Sequence, residues 1–83
     1  MKKITWTKTA LKQLRKIPAN SRKSIVRKVG QYATAPESLA NNVIRMQGFE
    51  NVYRLRVGDW RVVIEEDGPI IAVLKVGPRG GVY

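Results

Sequence analysis

Apolar residues follow a helical spacing from Ala10 to Ala33 and a period of two from Val43 to Val76, after a short alternating start. Lys3 to Thr7 alternates, with Ile4 and Trp6 on one side and Thr5 on the other, and predicts a first strand. Thr7 stands where a helix cap is needed. Ala10, Leu11, Leu14 and Ile17 then recur at helical spacing, Lys8, Lys12, Arg15 and Lys16 take most of the remaining surface, and Pro18 forces a stop. Asn20 or Ser21 can cap a second helix, whose stripe of Ile25, Val26, Val29, Tyr32 and Ala33 lies opposite Arg22, Lys23, Arg27 and Lys28. A connection this tight predicts an antiparallel helical hairpin. Gly30 weakens the second helix by about 1 kcal/mol relative to alanine, and a close helix contact is expected there.

Thr34 to Asn42 is polar, contains Pro36 and reads as a loop. Val43 to Met46 is a weak strand, Val52 to Val57 a better one, Trp60 to Glu66 a strong one and Pro69 to Val76 the most apolar; Gly58-Asp59 and Asp67-Gly68 are tight-hairpin signals between them. The order predicts an α+β fold in a single domain over residues 1–83. It is a two-layer arrangement: an antiparallel sheet of four to five strands with the N-terminal helical hairpin packed on one face.

A two-residue loop at Gly58-Asp59 pairs Val57 with Trp60, Arg56 with Arg61 and Arg54 with Val63. Arg54, Arg56 and Arg61 then share one face, while Tyr53, Leu55, Val57, Trp60, Val62 and Ile64 share the other, which must meet the helices. Trp6 and Trp60 are assigned to the core with them. Like charges directly opposite one another destabilise a sheet, so an Arg56–Arg61 pair implies an anion between them. The alternative for the cluster alone is a solvated face on which Glu65 relieves some repulsion. Arg79 follows the last strand among Gly77, Gly80 and Gly81, which allow backbone to approach a ligand. Tyr83 has no evident core role and offers an aromatic face to a base.

Charge narrows the chemistry. Sixteen Lys and Arg oppose six Asp and Glu, and all ten basic residues before Glu37 meet no acid, so the first 36 residues carry the whole formal +10. Such a field attracts nucleic acid or an acidic protein segment. The chain has no cysteine and no histidine, which removes thiolate sites, the commonest metal ligand and the commonest general base. Glu50, Asp59, Glu65, Glu66 and Asp67 lie in or beside turns and strand ends, without a spacing that suggests glycosidase or metal chemistry. No metal or cofactor site is expected. The absence of a long apolar run and of a secretory stretch at the start predicts a cytoplasmic protein without a membrane partner.

The segments Val52-Tyr53-Arg54-Leu55-Arg56-Val57-Gly58-Asp59-Trp60-Arg61-Val62-Val63 and Val76-Gly77-Pro78-Arg79-Gly80-Gly81-Val82-Tyr83, with the order of elements, resemble the RelE/ParE toxin superfamily over nearly the whole chain. The resemblance implies a first strand beside the last and a concave basic face opposite the helices. In RelE-like members that face cuts messenger RNA in the ribosomal decoding site. Carried over by position, Arg61, Arg79, Tyr83 and Arg54 would be catalytic, with Arg61 and Arg79 on the phosphate and Tyr83 near the nucleophile. Arg56, Lys75, Lys12, Lys16, Lys23 and Arg27 would bind RNA. Some active members have lysine at the positions of Val52 and Arg54, and many have histidine at that of Pro78. Arginine is no proton acceptor at neutral pH, so the resemblance leaves the general base unassigned.

The function it implies is a type II toxin acting as a ribosome-dependent, metal-independent mRNA endoribonuclease. Its partners would be the ribosome, mRNA and an antitoxin with an acidic or amphipathic binding segment, held in a hetero-oligomer. The competing expectations are a ParE-like DNA gyrase inhibitor and a degenerate protein that only binds its antitoxin.

Overall fold

The computed structural model describes residues 1–80. Strand β1 (Lys3–Trp6) leads into helices α1 (Lys8–Arg15) and α2 (Ala19–Thr34), followed by strands β2 (Val43–Arg45), β3 (Val52–Val57), β4 (Trp60–Asp67) and β5 (Ile70–Pro78). One five-stranded sheet results, in the order β1-β5-β4-β3-β2. Consecutive strands β2 to β5 pair antiparallel, whereas β1 runs parallel to β5, with Ile4 beside Ile71 and Trp6 beside Val73. The sheet is therefore mixed rather than antiparallel throughout. The helices carry the chain away from β1 to the opposite edge, and three reversals return β5 alongside it in the same direction. A parallel pair requires such a long crossover.

Thr7 caps α1 as the sequence suggests, its Oγ1 accepting the Ala10 N–H at 3.0 Å. The cap expected at Asn20 or Ser21 lies earlier, at Pro18, which makes no side-chain capping bond. With its φ of −53° Pro18 is already set for the turn, and its carbonyl accepts the Arg22 N–H at 2.9 Å. Helix α1 packs over β5, and α2 reaches across β1, β3 and β4. Their stripes, including Ala10, Leu14, Ile25, Val29 and Tyr32, close over Leu55, Val62, Ile64, Ile71 and Val73 of the sheet; Trp6, Tyr53 and Trp60 pack at the margin of that core. Gly30 is not a point of close approach, because a Cβ there would meet no atom within 4 Å.

The segment expected as a loop from Thr34 to Asn42 continues α2 for one residue and then makes two 3-10 turns over Pro36–Asn42. Leu39 anchors them in the core, 3% exposed. The β4–β5 reversal falls one residue later than Asp67-Gly68 suggests. Asp67 pairs with Ile70, leaving Gly68 and Pro69 as the loop. Pro69 has no N–H to give the ladder and stands in the loop, its carbonyl accepting the Lys3 N–H at 2.9 Å.

At the far end of the sheet the Tyr32 hydroxyl donates to Glu66 Oε1, while Lys2 Nζ lies 3.3 Å from Glu66 Oε2. Burial and the adjacent carboxylate push the Tyr32 phenol above its ordinary pKa. Among the described residues, no helix is long and apolar enough to cross a membrane.

Candidate nucleic-acid interface

The outer sheet face is built on the β3–β4 hairpin, whose register is the one its alternation implies: Val57 with Trp60, Arg56 with Arg61, Arg54 with Val63. Gly58 supplies the positive φ of 59° at the first loop position. A two-residue loop makes Val57–Trp60 the closing hydrogen-bonded pair. Arg56–Arg61 is then the adjacent non-hydrogen-bonded pair, the closer kind, with Cα atoms about 4.5 Å apart. Glu65 does not relieve this pair. It stands opposite Val52, beyond Val63 on its own strand, and forms no ion pair with a described residue.

Arg54, Arg56 and Arg61 line one depression of about 140 Å³ with Asn41, Asn42 and Ile44. Nothing in the period of two marks the two asparagines. They reach the depression because Leu39 anchors the turns that precede them.

The carbonyls of the hairpin loop hold one arginine by its side chain and another by its backbone. Arg61 Nη1 donates to the carbonyl oxygens of Gly58 and Trp60, both at 2.9 Å, so its guanidinium is fixed against the turn. The Arg79 backbone N–H donates to the Asp59 carbonyl at 2.8 Å, which brings the residue after β5 to the same loop. Gly80 follows with φ of 84° and turns the chain there. Tyr83, Gly81 and Val82 lie outside the described residues, and with them the expected aromatic member of the site.

Lys75 reaches the outer face through a β-bulge. Val63 pairs with Lys75 and Ile64 with Val73, so Leu74 is the extra residue. Ile71, Val73 and Val76 are buried in the main core, and the shift turns both Leu74 and Lys75 outward. Side chains from the helical layer hold the bulge in place. Thr7 Oγ1 donates to the Leu74 carbonyl at 2.8 Å, and Gln13 Oε1 accepts the Val76 N–H at 2.7 Å. Beside Lys75 a small second apolar cluster, Val52 and Val63 with Met46 and Leu74 against them, interrupts the basic face. Alternation alone puts Val52 and Val63 on this side; Leu74 joins them only through the bulge.

The remaining expected binding residues are spread over the helical layer. Lys12, Lys16, Lys23 and Arg27 are all exposed. Lys12 lies with Lys8 and Arg15 on α1, whereas Arg27 shares a groove with Arg56. The structure therefore gathers Arg54, Arg56, Arg61 and Arg79 around one hairpin, brings Lys75 to the same face and leaves Lys12 and Lys16 on the other layer. Among the described residues no three acids are placed so that they could hold a metal ion together. The arrangement suits a phosphate and charge developing on it, since guanidinium forks are permanent cations with planar donors.

A family model for the ParE toxin of type II toxin–antitoxin systems matches residues 4–83. Toxin RelE3 of Methanocaldococcus jannaschii is 31% identical over 83 residues, covering 98% of this chain and 94% of that protein. The archaeal RelE–RelB complex from Pyrococcus horikoshii OT3 contains a chain that superimposes with a TM-score of 0.81 at 25% identity, over 96% of this chain and 97% of that one. The isolated E. coli RelE toxin superimposes with a TM-score of 0.80 at 19% identity, over 95% and 85% of the two chains, a likeness of fold.

Proposed function

This chain belongs to the RelE/ParE superfamily of type II toxins, and from that premise we propose that it is a ribosome-dependent mRNA endoribonuclease. The observation that carries this reading is the hairpin, where Arg54 and a cross-strand Arg56–Arg61 pair line one depression and the backbone of Arg79 is bonded to the loop. Arg56 and Arg61 directly opposite one another are costly to the sheet, and a phosphate between them offsets that cost.

The RNA supplies its own nucleophile. The 2′-hydroxyl loses its proton and attacks the adjacent phosphorus in line. The P–O5′ bond breaks, the 5′-oxygen takes up a proton, and a 2′,3′-cyclic phosphate remains. Arg61 and Arg79 stabilise the added negative charge, while Arg54 and Arg56 hold the phosphates, with Lys75 alongside. Tyr83, or a group of the ribosome or RNA, moves the proton. No metal-bound hydroxide is required by this route, and DNA is inert in it.

The partner in this account is an antitoxin whose acidic or amphipathic segment covers the basic surface, as RelB accompanies RelE in the Pyrococcus complex. The deciding experiment is a translation reaction with purified protein, ribosomes and a defined message, with and without chelator for the chemical step. It should yield new ends carrying 2′,3′-cyclic phosphate. A 3′-hydroxyl product, or strict dependence of the chemical step on added divalent metal, overturns the mechanism. The match to a ParE family model supports a second reading, inhibition of DNA gyrase without nuclease activity. It predicts intact message and loss of supercoiling in the matching gyrase assay.

A further inference from the structure

A second concavity lies where the helical layer meets the hairpin. This groove of about 400 Å³ is lined on the α2 side by Asn20, Ser21, Ser24, Arg27 and Lys28, and on the sheet side by Arg56 and the loop Gly58–Trp60. Asn42 and Arg56 line both this groove and the arginine depression, so the two form one track around the edge of the hairpin. Arg27 and Arg56 make no ion pair or side-chain hydrogen bond with a described residue, and Lys28 reaches only the amide oxygen of Gln31, at 3.5 Å. Asp59 is the one acid in the lining, and it too forms no ion pair with a described residue. Unneutralised cations in a concave surface concentrate an anion.

The lining chemistry distinguishes between anions. A docked peptide helix needs apolar pockets at helical spacing, and this groove presents hydroxyls and amides instead; Val57 is buried, and Trp60, packed against the core, is partly buried. We propose that the groove is a second nucleic-acid subsite that holds the backbone of single-stranded RNA continuing from the arginine depression. Arg27 and Lys28 meet its phosphates. Ser21, Ser24 and Asn20 hydrogen-bond 2′-hydroxyls and phosphate oxygens, and the Trp60 indole gives a base a stacking surface. Asp59 keeps the phosphates towards α2. The inference rests on RNA being the substrate and adds that the strand bound is several nucleotides longer than the scissile pair.

The test uses the full chain and uncleavable, fluorescein-labelled oligoribonucleotides of about 4 and about 12 nucleotides, within the range of single-strand site sizes. Anisotropy titrations should show the longer one binding at least about tenfold tighter, with a steeper dependence on salt. Ser24→Glu with Lys28→Glu should remove most of that advantage and reduce the slope of log K against log salt by about 0.7 for each phosphate no longer neutralised. Lys28→Gln, a milder change, should act in the same direction to a smaller extent. Lys8→Glu with Thr9→Glu makes an equal change of net charge on α1 and should weaken both oligonucleotides alike.

Equal affinity for the two lengths in the unaltered protein, or equal losses from the groove and control variants, overturns the subsite. If the groove variant, titrated in parallel with a labelled poly-glutamate peptide, loses affinity for the peptide without losing affinity for RNA, the groove is a protein-docking surface instead. These outcomes separate from the nuclease reading. If the length effect holds while ribosomes yield no cyclic-phosphate ends, the groove stands and the cleavage mechanism falls.

Discussion

At the scale of single residues, Arg61 is held before any ligand arrives. Two hydrogen bonds from one nitrogen to the Gly58 and Trp60 carbonyls fix the guanidinium, so little ordering remains when a phosphate binds. Removing a preorganised donor of this kind costs about 10² to 10³ in rate. Arg61→Ala should therefore lower single-turnover cleavage on programmed ribosomes by that factor with ribosome binding retained. Arg61→Lys should recover only part of it, because an ammonium lacks the planar fork. An unchanged rate in Arg61→Ala removes the residue from the chemistry. Tyr32 is the opposite case, a residue with a purely structural task. Its raised pKa keeps the phenol protonated and donating to Glu66. The stability from this contact is thus fully present below the ordinary tyrosine pKa and is lost as pH rises through the higher folded value. Tyr32→Phe should cost about 1 to 2 kcal/mol, the worth of a hydrogen bond to a charged group reduced for partial exposure, measured by urea denaturation at pH 7. Cleavage per folded molecule should not change.

Among the elements, β5 shows how helix and sheet together place a functional side chain. Alternation from Ile71 and Val73 would send residue 75 into the core. The bulge at Leu74 reverses the phase, and Thr7 and Gln13 satisfy the backbone groups around it. Gln13→Ala leaves the Val76 N–H without its partner, at a cost of about 1 to 3 kcal/mol. The single-turnover rate should also fall, because Lys75 and the approach of Arg79 to the loop both follow from this register. A loss of stability at full rate would make Gln13 a structural residue only. Gly30 lies in the α2 interior with open space where a Cβ would stand, so Gly30→Ala should stabilise the protein by about 0.5 to 1 kcal/mol in the same denaturation experiment. These elements also show what was legible. The hairpin register and the arginine face followed from a period of two and a two-residue turn signal, both local properties. The bulge was not legible, since Leu74-Lys75 has no local mark and its partners Thr7 and Gln13 are more than sixty residues away. Asn41 and Asn42 were hidden for a similar reason: a single buried Leu39 positions a segment that is otherwise polar. Gly30 misled, because a glycine in a helix indicates close packing only when another element lies against it.

On the scale of the whole molecule, the charge is divided along the chain. The first 36 residues hold the entire net +10, and from Glu37 onward six basic residues balance six acids. The strand β1 and both helices therefore repel themselves and one another, and within the described residues only the Lys2–Glu66 pair sets an acid against any of these cations. Such self-repulsion destabilises the compact state and weakens as salt screens it. From about 10 mM to about 150 mM NaCl the Debye length falls from about 30 Å to about 8 Å, shorter than the distances between many of these charges. The isolated toxin should accordingly unfold at a higher temperature in the higher salt. A saturating acidic peptide that neutralises the basic surface should raise the unfolding temperature further through mass action, and this increment should shrink as salt rises because the same charges are then screened. Scanning calorimetry with and without a poly-glutamate peptide at both ionic strengths distinguishes the cases. A melting temperature that falls with salt in the free toxin would show that surface repulsion does not limit its stability. A peptide increment that grows with salt would mean that apolar contacts, centred on the cluster of Met46, Val52, Val63 and Leu74, govern partner binding instead.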